Sequence, residues 1–591
     1  MRPKKILLFL LFLFSIFTIN CSEIDIISFY HEPLTIVSMF PNMELFIDKV
    51  HEKYPEINFE IIPYRGNNMT AYLNAQLASN DMPDIYVTTN YVKGQKDLSN
   101  SLLDLSGYAF TSNFSPSLLH EVSDNGATYL LPTHFSCLGI TYNKTLLEKN
   151  GWTLPTSFDE LSLLAPKVKE AGCELALNQI ALPGYGFQYL CNILDTGYFN
   201  TISGRQWQKD FLDGKVKLSD SSEMLEALSV IKKWKEVGML NGNGSWTNDV
   251  VTKKKVAEGN TLFMLGGTND FTNEDTSDVY SIMPYLSQDG TKNSLILKVS
   301  WFVGLNKQLE NNPVKLEDAL HVMEVLSTVE GMSLLNTSYS NSMLLPLKDY
   351  KIPNTSYYKD VEEDLNKGLI APFIYNGWEN IIVPIGNVVL DYIRDLATFD
   401  DIIKTIDENQ YLLTDNSSAC YTKAIEKINN DDCIRLIGEC FSKASGADFA
   451  LISRNEFHSV DGMTYMNSDG VSGELYPLPI TDQEITSIIP TGWHKNIQLL
   501  TLTGDRIKEI ANDGYDFNKF GIYYPYDIVA PKEFAIQDDK LYTIVICGVT
   551  TEVAREGNIK DTGILGLDAA REYFKKFETF TKKEIEWEKV K

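Results

Sequence analysis

An α/β region built on a parallel sheet, followed by a smaller α+β region, is the fold class that this 591-residue sequence predicts. Three features predict it. Between Asp25 and Val87, short β-rich runs alternate with stretches of helical periodicity, the pattern of a parallel sheet with covering helices. The polar run Thr414-Asp415-Asn416-Ser417-Ser418 then interrupts the chain as a linker would. Beyond it, helical and extended runs alternate with long loops. A chain of this length exceeds a single core, so its parts are drawn at 1–20, 21–414 and 415–591.

Residues 6–20 are uncharged and almost wholly apolar, with Arg2, Lys4 and Lys5 before them and Cys21 after. A basic start and an apolar core of this length read as a secretory signal, because a spanning helix needs ~20 apolar residues. Thr18-Ile19-Asn20-Cys21 resembles the lipobox of bacterial lipoproteins, with Asn20 where a small residue is usual. The resemblance implies that Cys21 becomes a lipid-bearing N-terminus and that the rest of the chain works outside the cytoplasm, anchored to the bacterial cell membrane. Such an anchor needs more than one acyl chain, each buried methylene adding ~0.8 kcal/mol.

Asp25–Tyr30 reads as a first strand, followed by a helix that buries Met43, Phe46, Ile47 and Val50 at i, i+3, i+4, i+7 spacing. Ile57–Ile62 alternates as a second strand. A second helix turns Met69, Tyr72, Leu73 and Leu77 inward, with Gln76 at the polar edge of that face, and Pro83–Val87 forms a third strand. Ser157 and Glu160 form a capping box that opens a helix with Leu161, Leu164 and Val168 inward.

A formal charge of -27 argues against nucleic acid, which needs a basic footprint. Beyond Cys21 there are seven scattered cysteines, an odd number without C-x-x-C, so they read mainly as small buried hydrophobes. Cys173 and Cys191 are the one pair considered for a bridge; Cys433 and Cys440 share a helix face.

Tyr142-Asn143-Lys144-Thr145-Leu146-Leu147-Glu148-Lys149-Asn150-Gly151, followed by Pro155-Thr156-Ser157-Phe158-Asp159-Glu160-Leu161, resembles a recurring signature of the extracellular solute-binding proteins of ABC importers, in particular the saccharide-binding group. Phe158 stands where Trp is usual. Pro83-Asp84-Ile85, Gly259–Gly267, Ile282–Leu286 and the helical region 370–410 are similar to further steps of the same family, in order. The resemblance covers residues 24–414. It implies a two-lobed, type II periplasmic-binding-protein-like fold with a cleft and a hinge, a small polar solute (a mono- or oligosaccharide) bound between the lobes, and ABC permease subunits as partners.

A saccharide site needs planar side chains for ring faces and polar groups for hydroxyls, supplied by loops after strands. Tyr64, Asn90 and Tyr91 follow the second and third strands. Tyr185 lies in Pro183-Gly184-Tyr185-Gly186-Phe187, Gly267 and Thr268 follow Gly266, and Trp378 is close to where some sugar-binding relatives carry a stacking Trp. These seven are the candidate ligand contacts, with Tyr91, Tyr185 and Trp378 foremost. Phe187 reads equally as core, His31 as a polar loop residue, and Trp246 and Trp301 as helix–sheet packing.

In the last region, Ser445-Gly446-Ala447-Asp448-Phe449-Ala450-Leu451, Leu478–Pro490 and Leu500–Lys508 resemble successive steps of the C-terminal domain of the 5′-nucleotidase family. Thr503 caps a helix burying Ile507, Ile510 and Ala511. Where that family has a glycine-rich Asn-Gly-Gly-Gly-x-Arg, this chain reads Ser453-Arg454-Asn455-Glu456-Phe457-His458, and Thr491 stands where a base-stacking Phe is expected. The resemblance therefore implies a retained scaffold with a changed pocket, Arg454 and Trp493 being its remaining candidate contacts. The seven histidines are dispersed outside any two-metal motif, and neither a P-loop nor a G-x-S-x-G elbow occurs. The chain reads as a non-enzyme without cofactor or metal; the competing function is nucleoside or nucleotide binding, or nucleotidase-related activity, through the C-terminal region.

Overall fold

Two sheets, the first with its covering helices called lobe 1 and the second lobe 2, fill the first part of the molecule; each has a main core, and chain crossings and a small shared cluster join them. The computed structural model describes residues 31–38, 43–64, 69–88, 96–124, 126–180, 182–242, 258–266, 277–336, 343–354, 356–372, 378, 381–414, 420–453, 457–460, 463–466, 470–489, 496–513, 515–517, 522–524, 526–547 and 559–590. The expected strand Asp25–Tyr30 and the lipobox cysteine Cys21 lie outside them.

The first described strand is β1 (Leu34–Ser38), a β-branched run absent from the expected elements. Helix α1 (Met43–Lys53) follows and buries Met43, Phe46 and Val50 as the spacing predicts. Next come β2 (Phe59–Pro63), α2 (Met69–Ser79) and β3 (Ile85–Thr88). Both β2 and β3 pair with β1 in parallel. Strand β4 (Leu131–Leu138) joins the same sheet, and the chain then passes through Gly139 directly into β5 (Ile140–Asn143) of a second sheet.

That second sheet is completed by β6 (Glu174–Asn178), β7 (Thr261–Leu265) and β8 (Tyr280–Met283), in the order β8-β5-β7-β6. Helix α3 (Phe158–Glu170) starts where Ser157 Oγ accepts the Glu160 amide at 3.1 Å, half of the expected capping box. The Glu160 carboxylate turns instead to the Thr156 amide and hydroxyl, at 2.8 and 2.9 Å. Leu161, Leu164 and Val168 are buried as expected. The chain returns to the first sheet in β9 (Leu295–Leu305) and β10 (Ile370–Pro372), giving the order β10-β9-β3-β1-β2 with β4 also on β9. It crosses back once more to α7 (Ile382–Ile393), which packs in lobe 2 on α4 (Pro183–Leu194), while α5 (Ser222–Val237) and α8 (Phe399–Asn409) flank it and α6 (Pro313–Leu326) covers lobe 1. Helices α4 and α7 approach at Gly186 and Gly386, where a Cβ on either would fall on a backbone carbonyl of the other helix.

Residues 420–590 form an α+β unit with its own core. Helix α9 (Asn430–Ser445) buries Cys433 and Cys440 and ends at Gly446, whose φ of 72° is the left-handed cap that glycine adopts freely. Strands β11 (Phe449–Ser453), β12 (Asn496–Thr503), β13 (Tyr526–Ala530), β14 (Leu541–Cys547), β15 (Lys560–Leu565) and β16 (Glu588–Val590) form a mixed sheet ordered β15-β12-β14-β11-β13-β16. Helices α10 (Asp482–Ile488), α11 (Gly504–Asp513) and α12 (Gly566–Phe574) accompany it, and Ile507 and Ile510 on α11 are buried as expected. Buried Glu439 fastens the end of the chain: it accepts the amides of Glu586 and Trp587 at 2.7 and 2.9 Å and the Tyr573 hydroxyl at 2.9 Å, and pairs with Lys443. Cys173 and Cys191 are both free, and Cys191 is core.

The C-terminal unit is seated on lobe 1 against α2. Tyr476 inserts beside Tyr72 and Leu73 in a shared cluster, its ring 6.1 Å from that of Tyr72. Gly473, at φ 72°, lets the chain pass; a Cβ there would come within 2.8 Å of the Tyr64 ring. Lys427 bridges Asp81 of lobe 1 at 2.8 Å and Glu474 at 3.0 Å, lying over the Tyr476 ring. Helix α2 is thus covered on two faces, which is why Gln76 is buried, donating to the Tyr72 hydroxyl at 3.1 Å, instead of marking a polar edge.

Candidate functional site

Register fixes which ends of the two sheets confront each other. In lobe 1, Val87 and Thr88 at the carboxyl end of β3 lie opposite Val303 and Phe302, which in turn lie opposite Leu131 and Pro132. Strand β4 therefore starts level with the carboxyl edge of β3 and runs past it toward lobe 2. In lobe 2, Thr141 faces Met264, so β7 ends beside the start of β5, next to Gly139. Strand β6 runs parallel to β7 and ends there too. The carboxyl edges of both sheets thus gather at the crossing, the position at which α/β sheets hold ligands.

Tyr185 stands in the first turn of α4, on the lobe 2 side of this crossing, half-buried against the lobe 2 core. The close Gly186–Gly386 approach sets the helix. Tyr189 on the next turn donates to the carbonyls of Gln179 and Leu265 at 2.7 Å, and the Gln188 amide donates to the Gly266 carbonyl at 3.2 Å. These bonds lock the start of α4 to the ends of β6 and β7.

On the lobe 1 side, Trp301 lies one residue past the β3–β9 pairing, half-buried, at φ 60°. A bulky residue in the left-handed region costs ~1–3 kcal/mol and persists only where its surroundings enforce it. Here the Thr133 hydroxyl donates to the Trp301 carbonyl at 3.2 Å. Behind it, Asn336 donates to the Thr133 carbonyl at 3.2 Å, and His134 Nδ1 is 3.2 Å from the Thr133 hydroxyl. Burial pushes the His134 imidazole down to about 4, so this ring stays neutral at ordinary pH.

The candidate contacts divide sharply. Asn90, Tyr91, Gly267 and Thr268 lie outside the described residues. Tyr185 lies on the lobe 2 side of the crossing, half-buried. Tyr64 is not available to a solute: it is 1% exposed, stacked on Tyr72 at 4.2 Å, and donates to the Ser487 carbonyl at 2.8 Å. The C-terminal unit covers the loop end that the strand pattern assigned to ligand. Trp378 is also core, 3% exposed and packed with Phe187, Phe199 and Phe211 at 6.0, 6.4 and 5.0 Å. A large apolar ring next to other rings gains more from burial than from facing water. Trp301, which the sequence reads as packing, is half-buried against the lobe 1 core clusters just beyond the carboxyl end of β3; its left-handed backbone angle has no sequence signature.

Residues 46–312 match the family model of bacterial extracellular solute-binding proteins. The chain is 23% identical over 211 residues to the melibiose/raffinose/stachyose-binding protein of Bacillus subtilis (strain 168), a match covering 35% of this chain and 48% of that protein. It is likewise 23% identical over 175 residues to an ABC transporter extracellular-binding protein of Pyrococcus horikoshii, covering 29% and 41%. The match thus spans under half the length of either relative. Among solved structures, a binding protein of Bacillus subtilis subsp. subtilis strain 168 in an open conformation superposes with a TM-score of 0.52 at 18% identity, covering 66% of this chain and 99% of that one. A family 1 extracellular solute-binding protein of Bifidobacterium longum subsp. infantis gives 0.50 at 16%, covering 64% and 98%. Lobes 1 and 2 have the two-lobed fold of these proteins.

Proposed function

We propose that this chain is the extracytoplasmic solute-binding component of an ABC importer, holding a mono- or oligosaccharide between its lobes and delivering it to permease subunits. One observation carries the reading: the carboxyl edges of the two sheets meet where the chain crosses at Gly139, with half-buried Tyr185 on one side and half-buried Trp301 on the other. The ring surface that these two half-buried side chains leave uncovered would suit the C–H faces of a sugar ring. The name of the Bacillus subtilis relative favours the same ligand class. Closure around a solute shifts an open–closed equilibrium, a signal that a transporter can read.

Residues 415–591 are read as a 5′-nucleotidase C-terminal-like scaffold with an altered pocket, seated on lobe 1 and without catalysis of its own. Cys21 is read as the lipid-bearing residue; mass spectrometry of membrane-extracted chain should find an acylated N-terminal Cys21, and Cys21→Ser should release the protein.

The test is a thermal-shift panel of raffinose, stachyose, maltose, adenosine and adenosine monophosphate on the full chain. A saccharide at a hundredfold excess over its dissociation constant adds ~2.7 kcal/mol, and Tyr185→Ala or Trp301→Ala should weaken it roughly tenfold. Stabilisation by adenosine alone would overturn the saccharide assignment in favour of the C-terminal unit.

A further inference from the structure

Gly139 is the point at which β4 of lobe 1 becomes β5 of lobe 2, and it is closely packed. A Cβ there would come within 2.5 Å of the Met283 carbonyl oxygen and 2.8 Å of the Ile282 side chain. The crossing and the end of β8 therefore meet backbone to backbone. One short segment, Tyr357–Asp360, reaches both sides of this point. Tyr358 grips Cys137, two residues before Gly139: its hydroxyl accepts the Cys137 amide at 3.2 Å and lies 3.3 Å from the Cys137 carbonyl. Tyr357 grips Thr141, two residues after Gly139, hydroxyl to hydroxyl. The same segment takes further hold of lobe 2. The Ser281 hydroxyl donates to the Tyr357 carbonyl at 3.5 Å, and Asp360 accepts from the Tyr142 hydroxyl at 3.1 Å and the Lys144 ammonium at 3.0 Å. The two phenols meet edge to face at 5.4 Å, in a cluster that mixes Ile282 of lobe 2 with Leu295 and Leu297 of lobe 1.

We infer that Tyr357 and Tyr358 are positioning residues that set the resting angle between the lobes. Any rotation of lobe 2 about Gly139 moves Thr141, Tyr142, Lys144 and Ser281 relative to Cys137. The segment cannot follow both. It keeps Tyr358 on Cys137 and releases the lobe 2 partners, or follows lobe 2 and releases Cys137. Buried hydroxyls that lose partners are penalised, so the described angle is favoured and solute has to work against that preference to change it. This rests on the hinged-lobe part of the proposed function and not on the identity of the solute.

The experiment measures interlobe distance without solute, by paired spin labels at exposed Asn311 in lobe 1 and Ile202 in lobe 2, on full chain carrying Cys173→Ser and Cys420→Ser. Tyr357→Phe/Tyr358→Phe keeps both rings and removes both grips. The population at the parent distance should fall roughly fivefold per lost bond, while the melting temperature stays near that of the parent. Thr141→Val, which deletes the lobe 2 partner alone, should move the distribution in the same direction. Tyr54→Phe, which loses a bond to Glu324 on the surface of lobe 1, should leave it unchanged. A parent-like distribution in both the double variant and Thr141→Val would overturn the inference. Because no solute is added, this outcome is independent of whether any saccharide binds.

Discussion

Lobe 1 has two neighbours and holds them by different physics. Against the C-terminal unit it offers a core: Tyr476 is 1% exposed inside a lobe 1 cluster, Tyr64 is bonded to Ser487, and Lys427 bridges carboxylates from both sides. Toward lobe 2 it offers chain crossings, one of them a single glycine, with the Tyr357–Asp360 segment laid across it over a small shared cluster around Ile282, Leu295 and Leu297. An interface locked by interdigitated rings and bridging charges resists relative motion, whereas one pivoting on chain crossings, a few hydrogen bonds and a small cluster resists it less. The proposed closure would therefore move lobe 2 against a body made of lobe 1 and the C-terminal unit.

The comparison breaks most readily at Tyr476. Tyr476→Ala should cost ~3–5 kcal/mol in chemical denaturation, the scale of an aromatic truncation in a core, and raise amide exchange in α2 and α10; a cost near zero would make this interface a surface contact. The next effect is acid sensitivity. The His134 ring in folded lobe 1 is held near 4, below its ordinary value of 6.5. Below about pH 6.5 the unfolded chain takes up a proton that the folded chain refuses until about pH 4, so the unfolded state is favoured as pH falls through that window. Stability is full above pH 6.5 and should drop by ~3 kcal/mol on reaching pH 4, and His134→Gln should remove this part of the pH dependence. Because the C-terminal unit shares a core with lobe 1, it should lose protection in the same window. The smallest effect is at Lys427: Lys427→Met should cost about 1 kcal/mol or less and shrink in high salt, as partly exposed ion pairs do.

Elements that bury one face of their own were legible in the sequence. The 3.6-residue spacing of Met43, Phe46 and Val50, and of Leu161, Leu164 and Val168, reports a helix against its own lobe. Legibility failed where a distant segment supplies the surroundings. Tyr64 reads as a loop residue at a strand end, but its cover is Gly473 and Ser487, more than four hundred residues along the chain. Gln76 reads as a polar edge for the same reason: its cover comes from the distant C-terminal unit. Trp378 reads as a ligand contact but is core, because exposure of an aromatic depends on tertiary packing; Trp301 packs on lobe 1 as it reads, but at a left-handed backbone angle that no local motif announces. Leu34–Ser38 does not stand out locally beside another β-rich run; the parallel pairing with Phe59–Pro63 is what selects it.

The most direct measurement follows two distances in one titration: Asn311 to Ile202 across the crevice, and Asn311 to a label at exposed Lys423 in the C-terminal unit, as the saccharide giving the largest thermal shift is added. The first distance should shorten with occupancy while the second stays fixed. A crevice distance indifferent to a bound saccharide, or a C-terminal unit that swings away from lobe 1 as it binds, would contradict a lobe 2 that closes on a rigid two-part body.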